Sequence, residues 1–416
     1  MPPPSPPVVP EPRADRSSAS AGVRRSAPSG ADAVRIALAG MATLAVAMAV
    51  GRFAFTPLLP MMQADAGLSF ALAAQLASAN YLGYLVGSIS AVALGAHPQR
   101  WVRVGLLAVA AGTSAMALAD GSLAWLVLRF ATGVASAWVL IFGATWIFTR
   151  LAEVGRPEWG AVVFTGIGSG VALTGIACLA LVAAGIGSRI AWLALGAAAA
   201  LATLVVWPHF RARPGTSPAV PAAAPGRSGP DARRLAIAYG LYGFAYIVPA
   251  TFLPAMARDA LAVVAAPPWA WALFWPLFGA AAAVSTLATL RLRCGADVQL
   301  RAAFALQGVG VAAPALSSGG VALLVSALLV GGTFVLTTLT ALRVARAVDP
   351  AGATRLFAGM TTLFAAGQVV GPLLAERAVA LGGGYAPALW VAAVALGVAT
   401  VLSPRLPAAP GGGHPV

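Results

Sequence analysis

Arg52 and Arg129 lie inside long apolar runs with no acid close by, and that placement is the strongest chemical signal in the chain. A charge near the centre of a bilayer costs on the order of 2.5–3.5 kcal/mol on insertion scales, so such a residue faces a polar cavity or a partner. The next acid after Arg52 is Asp65, thirteen positions on. At about 1.5 Å of rise per residue that is about 20 Å along a helix, too far for pairing. An anionic group of a substrate is therefore the expected counter-ion, since the planar guanidinium fork suits carboxylate or phosphate. The alternative is that Arg52 bonds carbonyls freed around Pro57, or the amide of Asn80. Arg129 opens the run Arg129-Phe130-Ala131-Thr132-Gly133, with Gly133 and Ser136 on its helical face, and reads as a structural or gating residue.

Polar residues on other apolar runs form stripes at helical spacing. Asn80, Tyr84 and Ser88 follow i, i+4, i+8; Tyr239, Tyr242 and Tyr246 follow i, i+3, i+7; Thr333, Thr337 and Thr340 repeat the pattern, and Thr361 shares a face with Gln368. Each stripe taken singly reads as helix packing. Taken as a set they outline one cavity, with Arg52, Asn80, Tyr84, Tyr242, Tyr246, Trp275, Thr333 and Gln368 as the expected substrate contacts. Trp269 and Trp271 read as interfacial anchors, whereas Trp275 lies deeper. Glu376, near the end of its apolar run, is the candidate for proton coupling.

Other chemistries find no footing. Cys178 and Cys294 are too few for a disulfide framework or a zinc site and read as core fillers. His97, His209 and His414 fall in loops or the tail, so neither a metal cluster nor a Ser-His catalytic group is expected in the membrane, and no cofactor is called for. The chain contains no Lys, which removes a Walker A phosphate loop and any built-in ATPase. Gly166-Ile167-Gly168-Ser169-Gly170 superficially resembles a phosphate loop, but mid-span it reads as close helix packing.

The elements that must position these residues follow from composition. Of 416 residues 60% are hydrophobic and 9% charged, and the mean hydropathy is +0.86. A soluble chain carries roughly a quarter charged residues. Here charge is confined to short intervals between Leu/Ala/Val-rich runs of about 20 residues, the length that crosses a bilayer as a helix. The runs predict an all-α integral membrane protein with twelve transmembrane helices, near 34–61, 69–94, 101–119, 122–149, 158–184, 189–208, 235–257, 269–292, 298–316, 320–343, 354–378 and 385–403. They group into two six-helix halves, 34–208 and 234–405, joined by an Arg/Pro/Ala-rich linker at 209–233. Residues 1–33 and 406–416 read as disordered tails.

The halves look duplicated. Gly51-Arg52-Phe53-Ala54-Phe55-Thr56-Pro57 returns as Gly243-Phe244-Ala245-Tyr246-Ile247-Val248-Pro249, and Pro60 and Pro254 follow with Met beside them. Broken apolar helices at matching positions of two halves mark a transporter's binding site. Pro57, Pro60, Pro249, Pro254 and, further on, Pro372 are accordingly expected to gate or shape the helices. Arginine placement sets the orientation: 21 of the 26 basic residues fall on the side of the tails, the linker and loops such as Arg100–Arg103 and Arg343–Arg346. That side is predicted to be cytoplasmic. The net charge of +14 then needs no nucleic acid, because the arginines serve as topology signals and contacts to anionic lipid.

Two six-helix halves with both termini inside and a long central loop resemble the major facilitator superfamily. The stretches GRFAFTPLLPMM (51–62), LASANYLGYLVG (76–87), YGFAYIVPATFLPAMA (242–257), GGTFVLTTLTALR (331–343) and TRLFAGMTTLFAAGQVVGP (354–372) are similar to its YbfB/YjiJ-type branch of bacterial transporters. The resemblance implies a twelve-helix secondary transporter of the bacterial inner membrane, without an ATPase partner and acting as a monomer. Arg129 to Gly133 resembles the superfamily's Arg-x-x-x-Gly motif. Two departures stand out. Gly95-Ala96-His97-Pro98-Gln99-Arg100-Trp101-Val102-Arg103 keeps the basic residues of the loop after the second helix but lacks its acid, and the fifth span has glycines without the proline of drug/proton antiporters.

The sequence thus points to a carrier of a small organic anion by alternating access. Efflux of an amphipathic drug-like compound is the runner-up; a non-transporting membrane sensor or scaffold is the alternative from another class. The topology is directly testable. Reporter fusions after His97, within 212–230 and at Val416 are expected to report cytoplasm, and fusions near Asp65, Asp120 and Gly383 the outside. An external central linker would dismantle the paired-half arrangement.

Overall fold

The computed structural model describes residues 30–94, 97–210, 229–264, 266–289, 291–292 and 294–406. Most of the expected tails and of the expected linker lie outside these residues; residues 30–33 of the first expected tail belong to the first helix. Every regular element among the described residues is helical. The first apolar run is α1 (Gly30–Leu44), a π-helical segment (Ala45–Val50) and α2 (Phe55–Asp65). It is followed by α3 (Phe70–Ala93), α4 (Pro98–Leu118), α5 (Ser122–Glu153), α6 (Gly160–Ala183) and α7 (Ser188–Val206). The second series is α8 (Pro230–Leu261), α9 (Phe274–Ala288), α10 (Ala296–Leu316), α11 (Gly320–Val348), α12 (Ala353–Ala380) and α13 (Ala386–Leu402). Among the described residues nine helical segments are long and apolar enough to cross a membrane, and α13 is apolar but shorter. Helices α3 and α10 have crossing length, 24 and 21 residues, but carry more polar side chains, Asn80 and Gln307 among them.

Packing repeats between the two series. Helix α1 lies on α6 as α8 lies on α12, α3 on α5 as α9 on α11, and α4 on α5 and α7 as α10 on α11 and α13. The two series meet along α6–α9 and α3–α12. Lipid tails are as apolar as leucine, so helices in a bilayer associate through close van der Waals contact at small residues. A Cβ on Gly133 of α5 would lie 2.1 Å from the Asn80 carbonyl oxygen of α3, and one on Gly83 of α3 would lie 2.0 Å from that of Phe130. The α6 glycines serve the same end. A Cβ on Gly166 would meet the Met41 carbonyl oxygen at 2.3 Å, and one on Gly168 the Ala283 nitrogen of α9 at 2.4 Å. The glycine run is therefore a backbone-distance seam joining α1 to α6 and α6 to α9.

The expected break in the first run is present, but it is built upstream of the prolines. The π-helical segment ends at Val50, and Gly51 to Ala54 form turns before α2 begins. Pro57 leaves the Phe53 carbonyl without its usual helical donor, and the amide of Thr56 takes it at 3.1 Å. The matching break expected at Pro249 and Pro254 does not occur: α8 runs unbroken through both. One physical reason is visible at Pro254. The carbonyl it orphans, that of Ala250, accepts a hydrogen bond from Thr56 Oγ1 at 3.0 Å across the interface of the two series.

That bond is one of a group on the side away from the arginine-rich loops. Tyr81 and Thr251 share a hydroxyl bond of 3.0 Å, Ser78 Oγ donates to the Val369 carbonyl at 3.0 Å, and Arg258 Nη1 donates to the Pro60 carbonyl at 2.9 Å. Phe70 of α3 packs on Phe252 of α8 and on Tyr385, with centroids 4.8 and 5.4 Å apart. Phe252 and Tyr385 touch in turn at 6.1 Å, so three rings from both series close one cluster. The structure is sealed on this side.

The helix crossings yield a stability prediction. Gly133→Ala drives a methyl into the α3 backbone and is expected to cost about 1–3 kcal/mol, read as a lower unfolding midpoint in detergent. Gly359→Ala on α12, where an added Cβ meets nothing within 4 Å, is expected to leave the midpoint unchanged or raise it slightly.

Candidate functional site

Arg52 is the second residue of the turn that follows the π-helical segment, and it is buried between the helices. It is 1% exposed. Its guanidinium carbon lies 4.0 Å from the centre of the Tyr84 ring, 5.3 Å from Phe53, 5.5 Å from Tyr81 and 5.9 Å from Phe364. Four aromatic faces thus supply part of the negative potential that a carboxylate would give. Nη2 donates to Gln368 Oε1, and Gln368 Nε2 donates on to the Tyr246 hydroxyl oxygen, so the first and second series are joined through one polar chain. Arg52 Nε is buried without a partner, and among the described residues no carboxylate pairs with this arginine.

The backbone at Arg52 is fixed from behind. Arg129 Nη2 donates to the Arg52 carbonyl at 3.0 Å, while Asn80 Nδ2 lies within bonding distance of the Gly51 carbonyl (3.1 Å), the Arg129 carbonyl (2.8 Å) and Thr132 Oγ1 (3.2 Å). Arg129 is 2% exposed and sits over the Phe55 ring at 5.2 Å. The contacts to the Gly51 and Arg52 carbonyls satisfy oxygens that the non-α-helical stretch leaves without helical donors. Arg129, expected to be structural or gating, here bonds main chain, and Gly133 lies against the α3 backbone. Asn80, expected to face substrate, ties the first run to α5 through Nδ2, while its Oδ1 is buried without a partner.

The second series contributes an aromatic wall. Tyr246 stacks on Phe364 (5.6 Å, 13°) and on Phe334 (5.2 Å, 20°), and Tyr242 stacks on Tyr246 at 5.1 Å. Tyr242 donates its hydroxyl to the Phe334 carbonyl at 2.8 Å, which locks the wall to α11. Phe53 bridges the two series edge-on, 5.6 Å from Phe334 and 6.3 Å from Trp275. Trp275 Nε1 and Thr337 Oγ1 are buried without hydrogen-bond partners.

Arg52, Tyr84, Tyr242, Tyr246 and Gln368 are therefore brought together, and Trp275 joins them through Phe53. Thr333 is not drawn in by a polar contact: its hydroxyl donates to the Leu329 carbonyl of its own helix at 2.6 Å. Glu376 lies eight residues beyond Gln368, about 12 Å along α12, half-buried and in no ion pair among the described residues. Pro372 lies inside α12 without interrupting it. Sequence reasoning missed Phe53, Tyr81, Phe334 and Phe364. Phe364 was within reach, since it falls on the face shared by Thr361 and Gln368 and opposite three tyrosines at helical spacing.

A repeated helical array whose halves meet at a buried cation, with one side sealed, defines a membrane transport protein. The chain belongs to the family described as uncharacterised MFS-type transporter YbfB, whose model matches residues 44–404. It is a multi-pass membrane protein and a secondary transporter, not an enzyme. Among solved structures, the nucleoside transporter NupG superposes with a TM-score of 0.63 at 15% identity, covering 89% of this chain and 97% of that one. A point mutant of the same transporter gives 0.64 at 14% identity, covering 89% and 98%. At that identity the likeness concerns the fold. No curated protein matches the chain.

The polar chain through Gln368 makes a prediction. Gln368→Leu strands Arg52 Nη2 and removes the Tyr246 hydroxyl's partner in a buried site, which is expected to destabilise the protein by about 1–3 kcal/mol. Thr333→Val, which loses only a bond to its own helix, is expected to change stability by less than about 1 kcal/mol. Thermal midpoints of the two purified variants check this.

Proposed function

We propose that this transporter moves a small organic anion across the bacterial inner membrane by alternating access, with twelve spans and both termini in the cytoplasm. The observation that carries the reading is the Arg52 guanidinium: permanently charged, 1% exposed, without a carboxylate partner among the described residues and with Nε unpartnered. A group arranged in this way gains most from an anion, since a carboxylate accepts a charge-assisted hydrogen bond and neutralises the site. The neighbouring rings favour a substrate with a flat apolar portion beside its charge. Rocking of the two series about Arg52 and Gln368 would open and close the seal between α2–α3 and α8–α12.

The aromatic wall of Tyr242, Tyr246, Phe334 and Phe364 favours a second reading, efflux of a ring-bearing amphipathic compound without an obligatory charge. A sensor that binds without transport has the same site. Vesicle accumulation assays separate it from the carriers.

The deciding experiment is a thermal-shift screen of purified protein against carboxylates, phosphorylated compounds, nucleosides, sugars and cationic dyes, followed by variants, since a ligand stabilises what it binds. Carboxylates or phosphates are expected to raise the midpoint. Arg52→Gln is expected to weaken that ligand about tenfold to hundredfold, the worth of a charge-assisted bond, and Arg52→Lys to restore binding only in part. Gln368→Glu places a carboxylate against the guanidinium and is expected to raise stability while abolishing the ligand-induced shift. Retained affinity in Arg52→Gln, or a cationic ligand, would falsify the anion reading and favour the aromatic one.

A further inference from the structure

The acid-free loop before α4 leads into a second polar site, remote from Arg52. A cavity of about 220 Å³ lies between the start of α4 and the end of α7, its polar rim formed by His97, Gln99, Arg100 and Arg103. The 3-10 turn that follows α7 (Trp207–Phe210) closes it with Trp207 and Phe210. Arg103 is fixed there by donating to the Trp207 carbonyl at 3.3 Å and lying 4.7 Å from the Trp207 ring, yet its Nε is buried and has no partner. Arg100 is exposed and rests against Trp101 at 5.7 Å. Among the described residues neither arginine is in an ion pair. Two cations and the positive end of a helix converge on one opening, and no acid among its lining residues answers them.

We propose that this cavity binds the phosphodiester headgroup of an anionic phospholipid. The shared chemistry of a headgroup and of free phosphate is an oxyanion held by two guanidinium groups. What favours the lipid is the wall. Val104 and Leu107 line the cavity directly beyond the arginines, on the same helical face at i+4 and i+7 from Arg100, and are 38% and 52% exposed toward the outside of the bundle. A charged mouth continued by an apolar stripe matches a headgroup with its acyl chain. It lies on the side bearing the arginine-rich loops, where anionic lipid adds its own attraction.

Native mass spectrometry of the full-length, delipidated protein tests this, with titration by dioleoyl-phosphatidylglycerol, dioleoyl-phosphatidylcholine or inorganic phosphate. The wild type is expected to take up one phosphatidylglycerol ahead of all others, with phosphatidylcholine binding weaker and phosphate neither occupying the site nor displacing the lipid. Arg100→Gln is expected to weaken that first binding event about fivefold and Arg100→Gln/Arg103→Gln about thirtyfold. Arg100 is exposed and its single variant keeps the Arg103–Trp207 contact, so its result stands even where the double variant does not fold. Unchanged phosphatidylglycerol affinity in Arg100→Gln, or equal affinity for phosphatidylcholine, overturns the proposal. Displacement of the lipid by phosphate at comparable concentration overturns the lipid and leaves a site for the free anion.

Discussion

A guanidinium withdrawn from water has to be compensated somewhere, and in this protein the compensation for Arg52 shapes the centre of the molecule. Without a carboxylate within reach among the described residues, it is met by ring faces and one amide oxygen. Those groups come from three separate stretches of chain. Tyr81 and Tyr84 come from α3, Gln368 and Phe364 from α12, and Phe53 from the turn beside Arg52 itself, so the charge draws the two series into register at one level. Arg129 and Asn80 then hold the main chain that carries it.

The apolar runs were legible because bilayer thickness fixes helix length and because lipid permits no unsatisfied backbone. The site was legible to the extent that its members break a rule: a charge in hydrocarbon, an amide in a leucine-rich helix, tyrosines repeating at three and four residues. Phe53, Phe334 and Phe364 break none. A phenylalanine in a transmembrane helix has every reason to be there, and only tertiary contact distinguishes one beneath a cation from one facing lipid. Asn80 shows the converse, since the amide nitrogen of a polar residue on an expected cavity face can be taken by main-chain carbonyls of other stretches, here Gly51 and Arg129, while its oxygen stays unpartnered.

The prolines teach a similar lesson about symmetry. Matching residues in the two series do not enforce matching geometry. In the first run the turn at Gly51 to Ala54 lies ahead of Pro57, whereas in the second α8 continues through both prolines, and at Pro254 the lost donor is replaced from outside the helix by Thr56. The asymmetry has a use. The broken copy carries the charge, and the continuous copy supplies a rigid aromatic surface for it.

The bond from Thr56 to the Ala250 carbonyl has an implication for how the sealed side opens. Most carbonyls inside a transmembrane helix already accept a bond from the residue one turn on, and recruiting one as a latch adds a second, weaker contact. Pro254 leaves the Ala250 oxygen vacant, so Thr56 becomes its principal donor in the described structure. When the two series part, that oxygen needs a replacement, and water entering from the newly opened side is chemically equivalent. On the proposed alternating-access reading the fastening would be exchangeable with solvent: released as the crevice wets, and remade only as it dries.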